Sequence, residues 1–246
     1  MPPRLFIQSP PEKEITITGH DAKYLIRVLR CKPGDEVTLV DRQGVCYQAE
    51  ITGITGKEVV AGIKGPVQPA PESPIKLILL QGVLKAQKMD LVIQKAVELG
   101  ASSIIPVITE RVVVSETRKL PRWQSIALEA ARQCGRAIIP PVMEPVKLRE
   151  FFSKIKCPIR GIVFWEEGGA PLKEVIADIR TPLPAGGQAA DVYVLIGPEG
   201  GLAEEEVELA QECGLNVATM GERILKAETA AISALTVLQY ELGDFG

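Results

Sequence analysis

Histidine is almost missing from this chain of 246 residues, with His20 the single example. Its five cysteines, Cys31, Cys46, Cys134, Cys157 and Cys213, are odd in number and contain no Cys-x-x-Cys pair. These scarcities argue against a structural zinc or a histidine-based metal centre. They also fit a reducing, cytoplasmic compartment better than an oxidising one. No apolar run approaches the ~18 residues of a membrane-spanning helix. The start, Met1-Pro2-Pro3-Arg4-Leu5-Phe6, lacks the basic-then-apolar order of a secretory signal. Aromatic residues make up only 4%, so extensive stacking on nucleic-acid bases is not expected, and Trp123 and Trp165 are assigned to the core.

Hydrophobic residues at 46% and charged residues at 24% describe an ordinary folded chain. The net charge of −3 excludes a protein that coats nucleic acid by bulk charge. Its distribution is uneven, with 12 basic against 6 acidic residues in 73–149 and 7 against 16 in 150–246. Either a local anion-binding face or unevenly placed surface charge accounts for this.

Four prolines between Pro66 and Pro74 mark an extended linker, because proline fixes φ and removes a backbone donor. Before it, short β-prone runs at 14–18, 36–40, 45–51 and 58–63 alternate with glycine-bearing turns, the texture of a small β-barrel, with one helix at 22–30 capped by Asp21. After it, strands and helices alternate. Apolar runs at 75–80, 103–107, 162–165, 192–196 and 216–219 are separated by helical patterns at 87–99, 121–133, 203–213 and 229–242. That is an open, largely parallel α/β sheet. The expected division is therefore 1–66 barrel, 67–74 linker and 75–246 α/β domain, with residues 182–190 a surface loop.

Ligands of open α/β sheets sit beyond the carboxyl ends of strands, at helix N-termini. Two loops have the composition for it. In Leu195-Ile196-Gly197-Pro198-Glu199-Gly200-Gly201 a strand runs into glycines that let a backbone approach a ligand. It is neither a Walker loop nor a dinucleotide fingerprint, and Glu199 with Glu204, Glu205 and Glu206 would repel phosphate, favouring an uncharged or cationic ligand. In Met220-Gly221-Glu222-Arg223-Ile224-Leu225-Lys226-Ala227-Glu228 apolar side chains between polar ones suit a flat ring read at its edge. Both loops can also be read as plain strand-to-helix turns. In the amino-terminal region, Lys23, Arg27 and Arg30 follow an i, i+4, i+7 spacing and share one helix face with His20 and Lys32 nearby, a face suited to RNA backbone. His20 reads as structural. Lys85 and Lys88 extend the positive surface.

Six segments in register carry a family resemblance over nearly the whole chain. They are His20 followed by Val28-Leu29-Arg30; Gln94-Lys95-Ala96-Val97-Glu98-Leu99-Gly100; Ile105-Pro106 with Thr109-Glu110-Arg111; Glu129-Ala130 with Gln133 and Gly135-Arg136; Ile196 through Gly201; and Leu225 with Ala227-Glu228-Thr229-Ala230. The chain resembles the RsmE family of small-subunit (16S) ribosomal RNA uridine-N3 methyltransferases, in the SPOUT superfamily. Lys226 stands where that family usually has arginine, which keeps the charge and loses the bidentate fork.

The resemblance implies a trefoil-knotted open parallel sheet behind a PUA-like RNA-binding β-barrel. It implies S-adenosylmethionine as methyl donor, leaving as S-adenosylhomocysteine, with no metal. Leu195, Ile196, Gly197, Gly200 and Gly201 with Met220, Gly221, Ile224, Leu225 and Ala227 would form the cofactor site. It also implies a cytoplasmic homodimer, for which the closing helix with Ile232, Leu235, Val237 and Leu238 is the candidate surface, and small-subunit ribosomal RNA as partner. Methylating N3 requires removal of its proton and stabilisation of charge spreading onto O2 and O4. Arg136, ahead of Arg111, Arg132 and Lys226, is the candidate cation, and Glu199 or Glu228 the candidate base. Lys23, Arg27, Arg30, Arg111, Arg132 and Lys226 would touch RNA. Two other readings stay open: a non-catalytic RNA-binding assembly factor that keeps the knot, and a SPOUT enzyme with another RNA target.

Overall fold

The structure, a computed structural model, describes residues 2–112, 118–180 and 190–246. By density of contacts it divides into two units, one spanning the chain up to Pro71 together with Ala131–Ile138, the other holding Glu72–Ala130 and Ile139–Gly246.

In the amino-terminal unit, β1 (Arg4–Phe6), β2 (Glu14–Ile17), β3 (Glu36–Val40), β4 (Cys46–Thr55) and β5 (Glu58–Val67) form one sheet in the order β1-β3-β4-β5-β2. The β1–β3 pair is parallel and the rest antiparallel. All five strands contribute to a single core around Leu5, Ile17, Val37, Leu39, Ile51 and Val59, so the sheet must curl. Register shifts at Gln48/Ala49 and Ile51/Gly53 in β4 supply bends. The barrel is not closed by hydrogen bonds, since β1 and β2 remain edges.

Two local expectations are corrected here. β5 continues through Pro66 to Val67, into the stretch read as linker. Proline is tolerated there because the bonding on the β2 side ends at the Ile63 N–H, which the Lys13 carbonyl accepts at 2.9 Å, and among the described residues no strand pairs that side further on. The helix does not run from 22 to 30 under an Asp21 cap. It is α1 (Gly19–Lys23), widening into a π-helical turn (Tyr24–Val28) and ending before Arg30, whose φ is +55°. Asp21 lies inside its first turn. Lys23 and Arg27 are therefore helical while Arg30 is not, though all three are exposed.

The second unit contains β6 (Ile75–Gly82), α2 (Lys88–Glu98), β7 (Ala101–Ile108), α3 (Leu120–Cys134), β8 (Val146–Lys147), α4 (Leu148–Lys154), β9 (Gly161–Phe164), β10 (Ala170–Pro171), α5 (Leu172–Ile179), β11 (Ala190–Ile196), α6 (Glu204–Glu212), β12 (Leu215–Thr219) and α7 (Ala227–Leu242); the last turn of α3 counts with the first unit. Among the described residues its seven strands are all parallel, in the order β10-β12-β9-β11-β6-β7-β8. β9 is buried throughout and β6 nearly so, as strands covered on both faces should be. Gly100 ends α2 with φ +79°, and a side chain there would strike Gln239 of α7, so the turn and the α2–α7 packing both require glycine. The side chains of Cys157 and Cys213 lie against one another, a pairing that the spacing of the cysteines did not announce. The loop expected at 182–190 lies outside the described residues, except that Ala190 opens β11.

Candidate active site

β12, β9 and β11 are neighbours, so the chain leaving each of them emerges at one end of the sheet. There the segments after β11 and after β12 enclose two recesses of about 470 and 860 Å³, which share Phe164, Glu166, Ile224, Leu225 and Ala230. Met220 and Gly221 line the first. Ile196, Gly197, Pro198, Glu199 and Gly201 line the second, facing Lys226, Ala227 and Glu228.

Close packing shapes this end. A Cβ on Gly82 would lie 2.5 Å from the Pro198 backbone nitrogen, so β6 and the loop after β11 interlock only through glycine. Buried Gln81 donates from Nε2 to the carbonyls of Gly82 (3.0 Å) and Gly197 (3.4 Å), fixing the loop from beneath. Buried Glu206 accepts from the Glu110 N–H (2.9 Å) and the Ala203 N–H (3.1 Å), tying the segment after β7 to the start of α6. Glu206, read as one of several phosphate-repelling acids, is therefore a brace.

The acids in the second recess differ from one another. Glu199 Oε1 accepts from the Lys85 N–H (3.2 Å) and Lys88 Nζ (3.1 Å). Burial alone would raise its carboxyl, but hydrogen bonds from Lys88 and from the backbone of Glu199 and Lys85, with the Lys88 charge, hold it below the ordinary value. Glu228 Oε2 is buried without a hydrogen bond, with Lys88 Nζ 4.0 Å away. Glu166, unremarked in the sequence, lines both recesses. Apolar walls, backbone groups and three carboxylates suit a ligand with a neutral flat ring and a positive centre.

Most of the expected site residues converge, and some do not. Leu195 is fully buried in the core. Gly200 backs onto Arg111, whose carbonyl would lie 3.0 Å from a Cβ there. Arg111 is half exposed and 3.8 Å from Glu167. Arg132 does not present itself to RNA: its side chain is 6% exposed and pairs with Asp21 at 2.8 Å. Arg136 groups with the amino-terminal unit. Lys226 is exposed at the cap of α7. In α7, Leu235 and Leu238 are core residues, while Ile232 and Val237 are half-buried. Lys88 was missed as a site residue because a lysine in a first helical turn looks like solvated charge. Gln81 had a signal, an amide following the apolar run Leu77–Leu80 of β6. Among the described residues no group of three or more metal-ligating side chains occurs, and no helix is long and apolar enough to cross a membrane.

Residues 71–239 match the model of an RNA methyltransferase domain and residues 17–64 that of an RNA methyltransferase PUA domain. The chain is 30% identical to the ribosomal RNA small subunit methyltransferase E of Bacillus subtilis over 92% of its own length and 90% of the relative's. Among solved structures it is similar to the ribosomal RNA small subunit methyltransferase E of Neisseria gonorrhoeae bound to S-adenosyl methionine (32% identity, 100% of both chains, TM-score 0.88). It is also similar to a methyltransferase of Legionella pneumophila in complex with the same cofactor (31%, 100% of both chains, TM-score 0.86).

Proposed function

From the premise that the chain belongs to the RNA methyltransferase family, together with the ribosomal RNA small subunit methyltransferases E, we propose that it is an S-adenosylmethionine-dependent enzyme that methylates N3 of a uridine in small-subunit (16S) ribosomal RNA. The observation that carries this reading is that the segments after β11 and β12 build one lined recess. S-adenosylmethionine, when bound, supplies an electrophilic methyl on a sulfonium and leaves as S-adenosylhomocysteine.

The chain's own residues would do the rest. The backbone of Gly197, Gly201, Met220 and Gly221, with Ile196, Ile224, Leu225 and Ala227, would hold the cofactor. A cationic cofactor fits the carboxylate-lined recess, and the unbonded Glu228 Oε2 is an acceptor awaiting a donor. Of the two candidate bases we choose Glu228. Glu199 is already engaged by two donors and held ionised, whereas Glu228 Oε2 can receive the N3 proton and leave the electron pair on N3. Lys23, Arg27 and Arg30, all exposed, would meet RNA phosphates. The reading includes the trefoil knot, a homodimer built on α7 and action in the cytoplasm.

The test is direct. Calorimetry should show S-adenosylmethionine binding, and mass spectrometry of nucleosides from treated small-subunit RNA should show 3-methyluridine. Glu228→Gln should slow single-turnover methylation by roughly 10²-fold or more. Absence of cofactor binding, or a different methylated nucleoside, overturns the reading.

A further inference from the structure

Lys88 stands in the first turn of α2, and its side chain lines the second recess. Its ammonium faces carboxylates from two different segments, Glu199 at 3.1 Å and Glu228 at 4.0 Å. The two contacts are unequal. At 3.1 Å a hydrogen bond forms, joined by the bond from the Lys85 N–H, so the β6–α2 turn grips Glu199 at two points. At 4.0 Å there is attraction but no hydrogen bond, and Glu228 Oε2 remains buried and unbonded. Without a cation between them, two carboxylates lining one recess would repel, and either could turn to satisfy the other's ligand.

We propose that Lys88 is a positioning residue for methyl transfer. It fastens Glu199 to the β6–α2 turn and stands off Glu228, so that of these two carboxylates Glu228 is left to accept a donor N–H brought by the ligand. The assignment rests on the function proposed above. That donor is the N3–H of the uracil ring, in keeping with the base assigned above. Glu166 and Lys226 line the same recess, and among the described residues the ion pairs there are those of Lys88 with Glu199 and Glu228.

The experiment uses the full chain with Lys88→Gln and Lys88→Arg. In Lys88→Gln, single-turnover methylation of small-subunit RNA should fall on the order of 10²-fold, with cofactor affinity by calorimetry within about threefold of wild type. Lys88→Arg, which keeps the charge, should recover most of the rate. A readout without any ligand accompanies this. The Glu199 carboxyl, followed by carbon-13 NMR, should titrate below the ordinary range in wild type and Lys88→Arg, and higher in Lys88→Gln. Should Lys88→Gln fail to fold, Lys88→Ala takes its place in both measurements. Glu228→Gln then tests the donor: slowed transfer at unchanged cofactor affinity is expected, and weakened cofactor binding, which would assign Glu228 to the cofactor's ammonium, overturns the proposal. A Glu228→Gln chain with neither change overturns the proposal, as does a Lys88→Gln chain with wild-type rate or an unmoved Glu199 titration. Failure of the parent reading is distinct, because it appears in the wild-type chain as absence of 3-methyluridine.

Discussion

In the amino-terminal unit the buried carboxylate of Asp41 and the guanidinium of Arg132 find partners nearby. Asp41 is 3% exposed, yet its carboxylate accepts the N–H groups of Gln43 and Val45 and the hydroxyl of Tyr47, and Arg132 is answered by Asp21. At the carboxyl ends of the parallel strands the pattern reverses. Among the described residues Gln81 Oε1, Thr109 Oγ1, Trp165 Nε1 and Glu228 Oε2 are all buried there without a hydrogen bond. An unpaired buried polar atom costs about 1–3 kcal/mol, so this end of the sheet carries a concentrated penalty. One unit is finished as folded, and the other is completed by what it binds.

Mutations should separate the two behaviours. The largest effect is expected in the finished unit. Leu39→Ala, at a fully buried position of its core, should lower stability by about 3 kcal/mol in denaturant unfolding while leaving cofactor affinity unchanged; a parallel fall in affinity would break the contrast. Gly197→Arg should do the reverse. A Cβ there already lies 3.1 Å from Gly201 and Leu202, and the side chain would enter the recess, weakening S-adenosylmethionine by on the order of a hundredfold with the circular dichroism spectrum retained. The smallest effect belongs to the exposed pair Lys23→Ala and Arg27→Ala. Loss of two phosphate contacts should make the salt dependence of RNA binding shallower by about 1.5 in log–log slope, with unfolding free energy within roughly 0.5 kcal/mol.

The same contrast governs what could be read without coordinates. β3 falls at 36–40, as a short β-prone run between turn signals predicts, and the core strands β6, β9 and β11 announce themselves as apolar runs. The three-residue β1 and the two-residue β8 and β10 are too short for any period to register. A π-helical turn leaves no signature in a 3.6-residue spacing, which is why Arg30 was placed on a helix it leaves. In the site, the glycine loop and Met220–Glu228 were legible because their composition is unusual. Lys88, Gln81 and Glu166 were not, because each acquires its role from segments distant in the chain. Arg132 shows the opposite failure: a basic residue in a basic segment turns out to be an internal partner of Asp21.

The strand order also bears on how the protein is made. β6 emerges first in its sheet and can pair at once with β7, but its other flank belongs to β11. Until β11 has been synthesised, Ile75–Gly82 offers a nascent chain's bare, apolar edge to any passing strand. Slow synthesis between β7 and β11 would therefore lengthen the interval in which that edge can mispair.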